Sequence, residues 1–344
     1  MARKKRTTIE DVAKLAGVSS MTVSRVLNNE SKVSEKRKEK VLSAVKALNY
    51  RPNVAARGLA SNKSFFLGLL YYDLNGSYVS QFLLSALKHC RRRGYHLVVD
   101  EVDDNVPRSL ESIRELITTT QVDGMILLPP VSDKEEVISL LEAHHVPVVR
   151  VAPDKNLTSS PFICIDDYQA AFDITEYLIA QGHTRIAHIV GDAKQGASRM
   201  RYQGYLDALR SNGLSVPPEY IEQGAFTYKS GLACADKLLT LGSRPTAVFA
   251  ANDEMAAAVV SVAYVNGLQV PKDLSVVGFD DAQLATTISP HLTTVRQPIT
   301  EMARTAIDIL ASGKLTQPAT CTLRDLRHIL DFEIVERESV RALS

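Results

Sequence analysis

From residue 64 onward, short runs of apolar residues alternate with longer amphipathic stretches, and this pattern constrains the fold more than any other feature. Such runs are typical of parallel strands buried on both faces, and the stretches between them are typical of connecting helices. A first series of predicted strands lies at 65–71, 95–100, 124–128 and 146–151, and a second at 162–165, 185–190, 247–250 and 274–277. Two such series predict two doubly wound α/β lobes with a ligand cleft between them, at the carboxyl ends of the strands.

The charged residues are distributed unevenly along the chain. Residues 1–63 contain 15 Lys or Arg and 5 Asp or Glu, a net charge of +10, whereas the whole chain has +1. The residues after 63 therefore carry a net charge of −9. A basic segment ahead of an acidic body predicts that the segment binds a polyanion and that the body does not.

The basic segment has the pattern of two short helices joined by a tight turn. Thr8 and Asp11 have the spacing of a capping box, Gly17 can adopt the positive φ of a turn, and Ser19 is a good N-cap for the second helix. A third helix is predicted from about residue 34. Its predicted buried residues are Val41, Leu42, Val45 and Leu48. This is helix-turn-helix architecture, in which the second helix lies in the DNA major groove.

The outer face of the second helix predicts how the segment reads DNA. Arg25 can donate paired hydrogen bonds to a guanine edge, and Ser20 and Met21 are expected to meet base edges or a thymine methyl group. Other hydroxyl and amide side chains are expected to hold phosphates. The predicted DNA-contacting residues are Thr8, Ser19, Ser20, Met21, Thr22, Ser24, Arg25 and Asn28. The alternative is a solvated polar face in an ordinary three-helix bundle.

This segment resembles the head and hinge of the lactose-repressor (LacI) family. The resemblance is carried by residues 8–27, by Val33 and Ser34, and by LNYRPNVAARGLAS at 48–61. It implies that residues 53–61 form a hinge helix that orders on DNA, where Asn53, Ala56 and Leu59 make contacts. Leu59 would be the wedge that partly unstacks the central base step in the minor groove. A plain linker is the alternative for this segment.

The resemblance continues through the acidic body. It is carried by VDGMIL at 122–127, GHTRIAHIVG at 182–191, RPTAVFAANDEMA at 244–256, VPKDLSVVGFDD at 270–281 and LTTVRQP at 292–298. It implies an effector-binding core similar to periplasmic sugar-binding proteins, with three chain crossings between the lobes. The predicted organisation is a helix-turn-helix head at 1–52, a hinge at 53–63, and a two-lobed effector-binding and dimerisation core at 64–344.

A polyhydroxylated ligand needs planar polar groups that hold neighbouring hydroxyls and an apolar face for its ring. By resemblance, Phe226 stacks on the effector and further contacts come from both lobes. The predicted effector-binding residues are Asp73, Tyr78, Arg201, Phe226, Asn252, Asp280 and Gln297. A core position is the alternative for Phe226. Asp280 is expected in the loop after strand 274–277, Asp253 is expected to cap a helix, and Arg199 is expected to pair with acidic loops.

Four positions depart from patterns found in the family. Ala152 stands where many members carry an acid. Val79, Gln195 and Ala197 replace an aromatic residue, an Arg and a Thr of the purine-binding member. The last three differences argue against a purine, and a mono- or disaccharide is the expected effector.

Other classes of protein are not supported by the sequence. No run of about 18 apolar residues is present, and no signal-peptide core follows the basic residues 3–6, so a cytoplasmic protein is expected. The four cysteines and eight histidines have no metal-ligand spacing, and no catalytic or phosphate-loop motif is present. We therefore expect no enzyme, metal or cofactor.

The predicted function is that of a homodimeric transcriptional repressor of carbohydrate-utilisation genes. It would bind double-stranded operator DNA and release it when a small sugar binds between the core lobes. Two alternatives remain open at this point: a corepressor-type regulator, whose ligand promotes DNA binding, and a cytoplasmic sugar-binding module.

Overall fold

A computed structural model describes residues 7–27, 33–50, 63–73, 76–102, 109–313, 315 and 322–343. The chain divides into two compact units between Phe65 and Phe66. We call them the head and the body. In the described ranges, no helix has both the length and the apolar character needed to cross a membrane.

The head contains three helices around a small apolar core. They are α1 (Ile9–Ala16), α2 (Ser20–Leu27) and α3 (Glu35–Ala47). The predicted capping box is present, because the Thr8 side chain accepts from Asp11 N while the Asp11 carboxylate accepts from Thr8 N. Gly17 ends α1 with φ +63°, as the turn requires. Val12, Val23 and Val41 are fully buried where the three helices meet.

One core prediction for the head is wrong. Leu42 was expected to be buried, but 48% of it is exposed. The inward stripe of α3 consists of Val41, Ala44, Val45 and Leu48. These residues follow the 3.6-residue period of the helix, whereas position 42 is turned about 100° away from position 41.

The body contains two parallel sheets flanked by helices. Its helices are α4 (Ser77–Arg93), α5 (Ser109–Glu115), α6 (Glu135–Ala143), α7 (Asp167–Ala180), α8 (Gly196–Ser211), α9 (Tyr228–Leu239), α10 (Asp253–Val265) and α11 (Ile299–Ala311). Its strands are β1 (Phe66–Tyr71), β2 (His96–Glu101), β3 (Met125–Leu127), β4 (Val148–Val151), β5 (Phe162–Cys164), β6 (Ile186–Val190), β7 (Ile221–Gln223), β8 (Ala247–Ala250), β9 (Ser275–Asp280), β10 (Thr293–Arg296), β11 (Arg327–Ile329) and β12 (Glu333–Val335).

Each sheet forms one lobe. The described strands of the first lobe have the order β11-β5-β4-β3-β1-β2, and those of the second have the order β12-β10-β9-β8-β6-β7. Among these strands every pairing is parallel except that of β10 with β12. Helices α7 and α8 cover one face of the second sheet, and α9 and α10 cover the other. The predicted pair of doubly wound lobes is confirmed.

The chain passes between the lobes three times, at one edge of both sheets. It crosses after β5, after β10, and between β11 and β12. Helix α11, which follows β10, packs against α4 of the first lobe. Three crossings were expected from the family resemblance, and the fold has them.

Two strand predictions need correction. Strand 162–165 was placed in the second series, but β5 pairs with β4 in the first sheet, because the chain crosses only after this strand. The strand predicted at 274–277 runs from Ser275 to Asp280, so Asp280 ends the strand rather than following it. The short strands β7, β10, β11 and β12 were not predicted, because three or four residues carry too little periodic signal.

Candidate functional site

A cavity of about 300 Å³ lies between the lobes, where the carboxyl ends of the strands of both sheets face each other. Ligand sites of α/β sheets are expected at this position, and the volume is at the lower end of small-molecule pockets. All seven residues predicted to bind effector line the cavity, namely Asp73, Tyr78, Arg201, Phe226, Asn252, Asp280 and Gln297. The predicted set is therefore assembled in one place by residues that are up to 224 positions apart in the chain.

Asp280 is the acidic residue at the end of β9. Its backbone has φ +110°, a left-handed conformation that turns the chain out of the strand into the cavity wall. Gln297 Nε2 donates to Asp280 Oδ1 over 2.7 Å. Burial raises the pKa of Asp280 to about 6, although the nearby Arg201 and the bond from Gln297 oppose the rise. Burial therefore disfavours the charged form of Asp280 in this cavity.

Arg201 lies on α8 with its guanidinium buried in the wall of the second lobe. Its Nε donates to Asp167 Oδ1 over 2.8 Å, and its Nη1 donates to the carbonyl oxygen of Ala251 over 2.6 Å. The guanidinium also lies 3.5 Å from the centroid of the Phe279 ring. Asp280 Oδ1 is 3.9 Å from Nη1. These contacts fix the orientation of Arg201 before any ligand binds.

Sequence reasoning missed two carboxylates of the cavity. Asp167 begins α7, directly after the first crossing, and pairs with Arg201 at 2.8 Å. Asp192 follows β6 and also lines the cavity. The signal for Asp167 was present, because two acidic residues follow the predicted strand 162–165 and open a helix.

Tyr78 supplies a polar group from the first lobe. Its hydroxyl oxygen is buried, and in the described part of the chain it has no hydrogen-bond partner. Burial, together with the nearby carboxylates of Asp280 and Asp167, raises the pKa of Tyr78, so the hydroxyl is protonated. A buried hydroxyl without a partner is costly, and a polar ligand group in the cavity would satisfy it.

Phe226 and Asn252 form one unit in the second lobe. Asn252 caps α10 through its Oδ1, which accepts from Met255 N, and its Nδ2 donates to the carbonyl oxygen of Phe226 over 2.9 Å. The Phe226 ring lies so close to Gly191 that a Cβ there would be 2.1 Å from a ring carbon. Phe226 also packs against the core of this lobe, so it is both a core residue and a wall of the cavity. Asn252 positions Phe226 as well as lining the cavity.

The prediction that Asp253 caps a helix is wrong, since Asn252 makes the cap. Asp253 is almost fully buried and accepts from Ala282 N over 2.7 Å and from Thr294 Oγ1 over 2.6 Å. Burial and the charge of Asp280 raise the pKa of Asp253 well above its ordinary value. Its role is to tie the segment after β9 to the neighbouring strand, which holds Asp280 at the cavity.

Two polar contacts join the lobes beside the cavity. Arg199 of α8 forms an ion pair with Asp154, which follows β4 of the first lobe. Gly196 permits this approach, because a Cβ there would lie 2.2 Å from the Cβ of Asp154. Ser77 Oγ donates to Glu254 Oε1 over 2.5 Å, from α4 to α10. The expected pairing of Arg199 with an acidic loop is confirmed.

The four positions that depart from the family pattern also line the cavity. Ala152, Val79, Gln195 and Ala197 all contribute to its wall. The cavity thus has small aliphatic side chains at three of these positions.

In the head, α2 presents the outer face that the sequence predicted. Met21 is 63% exposed and Arg25 is exposed, while Ser20, Thr22 and Ser24 are partly exposed. Thr8 and Ser19 are exposed, and Ser19 Oγ accepts from Thr22 N over 3.2 Å, so Ser19 caps α2. Asn28, Asn53, Ala56 and Leu59 lie outside the described residues.

Two buried histidines of the body make contacts within the protein. His183 contacts Thr246 Oγ1 and the carbonyl oxygen of Arg341, which ties the start of β6 to the C-terminal segment. Burial lowers the pKa of His188 to about 3, so this ring is neutral. In the described ranges, no group of three or more His, Cys, Asp and Glu residues could hold a metal ion.

Family models match both parts of the chain. Residues 8–53 match bacterial regulatory proteins, lacI family, and residues 175–340 match the periplasmic binding protein-like domain. The chain is 35% identical over 326 residues to catabolite control protein A of Priestia megaterium, covering 94% of this chain and 98% of that protein. It is 36% identical over 337 residues to the ribose operon repressor of Escherichia coli K12, covering 96% and 99%.

Solved structures give the same match in three dimensions. A complex of the transcriptional regulator CelR with cellobiose has a TM-score of 0.73 and 30% identity, covering 97% of this chain and all of that one. The lac repressor dimer bound to operator and the anti-inducer ONPF has a TM-score of 0.77 and 29% identity, covering 98% of this chain and all of that one.

Proposed function

The chain belongs to the lacI family of bacterial regulatory proteins, and from this premise we propose that it represses carbohydrate-utilisation genes under the control of a sugar. A homodimer binds a double-stranded operator through its heads, and a small sugar binds in the cavity of each body. The names of two similar proteins, a ribose operon repressor and a regulator in complex with cellobiose, support a sugar as the effector.

The observation that carries the proposal is the composition of the cavity. A sugar offers hydroxyl donors around a ring with an apolar face, so it requires fixed acceptors and an apolar wall. Asp280 and Asp167 supply acceptor oxygens, Tyr78 supplies a hydroxyl without a partner, and the Phe226 ring supplies the apolar wall. We propose that these residues contact the sugar, together with Arg201, Asp73 and Gln297, while Asn252 holds Phe226.

The head reads the operator through α2. Arg25 donates to a guanine edge, and Met21 and Ser20 contact bases near the start of the helix. The exposure of these side chains supports the assignment, as does the net charge of +10 in residues 1–63. Thr8, Ser19, Thr22, Ser24 and Asn28 hold phosphates and set the register. Asn53, Ala56 and Leu59 act in the hinge, a proposal that rests on the family resemblance.

Sugar and operator are coupled through the geometry of the body. Binding at the cavity changes the relation of the two lobes, and this change alters the spacing of the two hinges in the dimer. Sugar then lowers operator affinity by as much as operator lowers sugar affinity. A corepressor would use the same cavity with the opposite sign, and a titration of operator binding with sugar measures that sign. We propose further that the protein acts in the cytoplasm and catalyses no reaction.

The test begins with selection of preferred duplexes by the full-length protein, followed by titrations of the best duplex at several salt concentrations. Arg25→Ala should lower the ratio of specific to nonspecific affinity by about tenfold or more, because a bidentate base contact is lost. Arg37→Ala removes the same charge from α3 and should leave this ratio unchanged while lowering both affinities. No preferred duplex at low salt, with or without sugars, would rule the proposal out.

A further inference from the structure

We propose that the effector is an uncharged sugar and that the cavity rejects phosphorylated and carboxylated sugars. This inference rests on the proposed function, because it assumes that the cavity is the effector site. It concerns the charge of the ligand, which the proposed function leaves open. Three features of the cavity support it: its net charge, the contacts of its cation, and the carboxylates beside two of its helix N-termini.

The cavity wall carries an excess of negative charge. Among the described residues that line it, Asp73, Asp167, Asp192 and Asp280 are acidic and Arg201 is the sole Lys or Arg. Bringing a phosphate or a carboxylate into this wall would place like charges together in a partly desolvated site, which is unfavourable. The hydroxyl groups of an uncharged sugar instead donate to the same carboxylates.

The single cation among these lining residues already has partners within the protein. Two of the nitrogens of Arg201 are within 2.8 Å of Asp167, and the third donates to the carbonyl oxygen of Ala251. One face of the guanidinium lies against the Phe279 ring. Arginine often binds phosphate through a two-nitrogen edge of the guanidinium, and the protein's own carboxylate uses the edge formed by Nε and Nη2.

Acidic residues of the opposite lobe lie beside two helix N-termini that reach the cavity. Helix N-termini are common anion sites, because their free N–H groups and the helix dipole attract negative charge. Asp154 of the first lobe lies against Gly196, the first residue of α8. Glu254 of the second lobe accepts from Ser77, the first residue of α4. A ligand phosphate at either place would therefore lie beside a carboxylate, and the two negative charges would repel each other.

The groups that remain for a ligand suit neutral hydroxyls. The Tyr78 hydroxyl is buried and has no partner among the described residues, and it can donate to or accept from a sugar hydroxyl. The oxygens of Asp280 accept hydroxyl protons, and the Phe226 ring packs against C–H groups. Two lysines are excluded from this set. Lys134 and Lys194 hold their ammonium groups over the Tyr72 ring, 5.4 Å from its centroid, and neither lysine lines the cavity.

The experiment compares matched ligands on the full-length protein by calorimetry. The probes are ribose and ribose 5-phosphate, glucose and glucose 6-phosphate, and glucuronate, with a panel of further neutral mono- and disaccharides. We expect the tightest ligand to be uncharged and its phosphorylated or carboxylated form to bind at least about tenfold more weakly. Binding of a charged form as tight as that of its neutral parent, or no binding by any neutral sugar, overturns the inference.

A variant tests the cause of the discrimination. Glu254→Gln removes the carboxylate of α10 that lies beside the start of α4. The ratio of the affinity for a neutral sugar to that for its phosphorylated form should therefore fall by about two- to fivefold. Glu219→Gln removes an exposed carboxylate near the amino end of β7 and should leave the ratio unchanged. An equal effect of both substitutions would refute the assignment of Glu254.

Operator binding is measured in the same samples, which separates this inference from the proposed function. Release of a selected operator by a phosphorylated sugar would overturn the inference and leave the function standing. Absence of any preferred operator would overturn the proposed function, whatever the calorimetry shows.

Discussion

Asp280→Asn should stabilise the body while weakening effector binding. Burial raises the pKa of Asp280 to about 6 in the folded chain, compared with about 4 in an unfolded chain. The folded state therefore binds a proton more readily than the unfolded state. It follows that the stability associated with this group is fully present below pH 4 and is lost as the pH rises through 6.

The size of the effect follows from the shift. Two pKa units correspond to about 3 kcal/mol of unfolding free energy at pH 7.5 and to about half of that at pH 5. Asparagine has the shape of the protonated acid, so Asp280→Asn should recover most of this energy at pH 7.5. The bond from Gln297 Nε2 can persist, because the amide oxygen accepts as the carboxylate oxygen does.

Urea unfolding followed by tyrosine fluorescence measures the stability. The chain has no Trp, and 11 of its 12 Tyr lie after residue 65, so the signal reports on the body. Asp236→Asn changes an exposed carboxylate of α9 and is the matched control, with an expected change within about 0.5 kcal/mol. The reasoning is refuted if Asp280→Asn destabilises the body at pH 7.5, or if its effect is the same at pH 5 and pH 7.5.

Three further predictions concern the cap, the packing and the contact between lobes. Thr8→Ala removes the cap of α1 and should destabilise the head by about 1 kcal/mol, measured by thermal unfolding of a fragment spanning residues 1–65. Gly278→Ala would place a Cβ 2.1 Å from a carboxylate oxygen, so it should destabilise the body by more than about 2 kcal/mol, whereas Gly242→Ala, with open space around it, should have little effect. Arg199→Ala breaks the pair with Asp154 and should change effector affinity. The affinity of the head for DNA fragments should stay the same. An unchanged effector affinity would contradict a role of Arg199 in joining the lobes.

The two-lobed fold and the cavity were predictable because parallel strands end on the same edge of a sheet. Residues that follow apolar runs, such as Asn252 and Asp280, are therefore brought together even though their side chains are distant in sequence. The capping box at Thr8 and the turn at Gly17 were predictable for a different reason, since both depend only on neighbouring residues.

The wrong predictions share a physical cause, namely dependence on partners distant in sequence. The role of Asp253 depends on Ala282 and Thr294, which the chain brings close only after β9 and β10 pair. The position of β5 in the first sheet depends on where the chain crosses between the lobes, and local composition does not encode this. The place of Asp167 in the cavity likewise depends on Arg201, which is 34 positions away in the chain.

The three chain crossings lie along one side of the body, so they would limit how the two lobes move relative to each other. Strands β2 and β7 occupy the opposite margins of the two sheets, so a rotation about the shared side would carry them through the widest arc. A rotation of a few degrees about the crossings would displace β2 and β7 further than it displaces residues near the crossings. Dye pairs placed on the two far margins would consequently register ligand-driven motion more sensitively than dyes placed near the crossings.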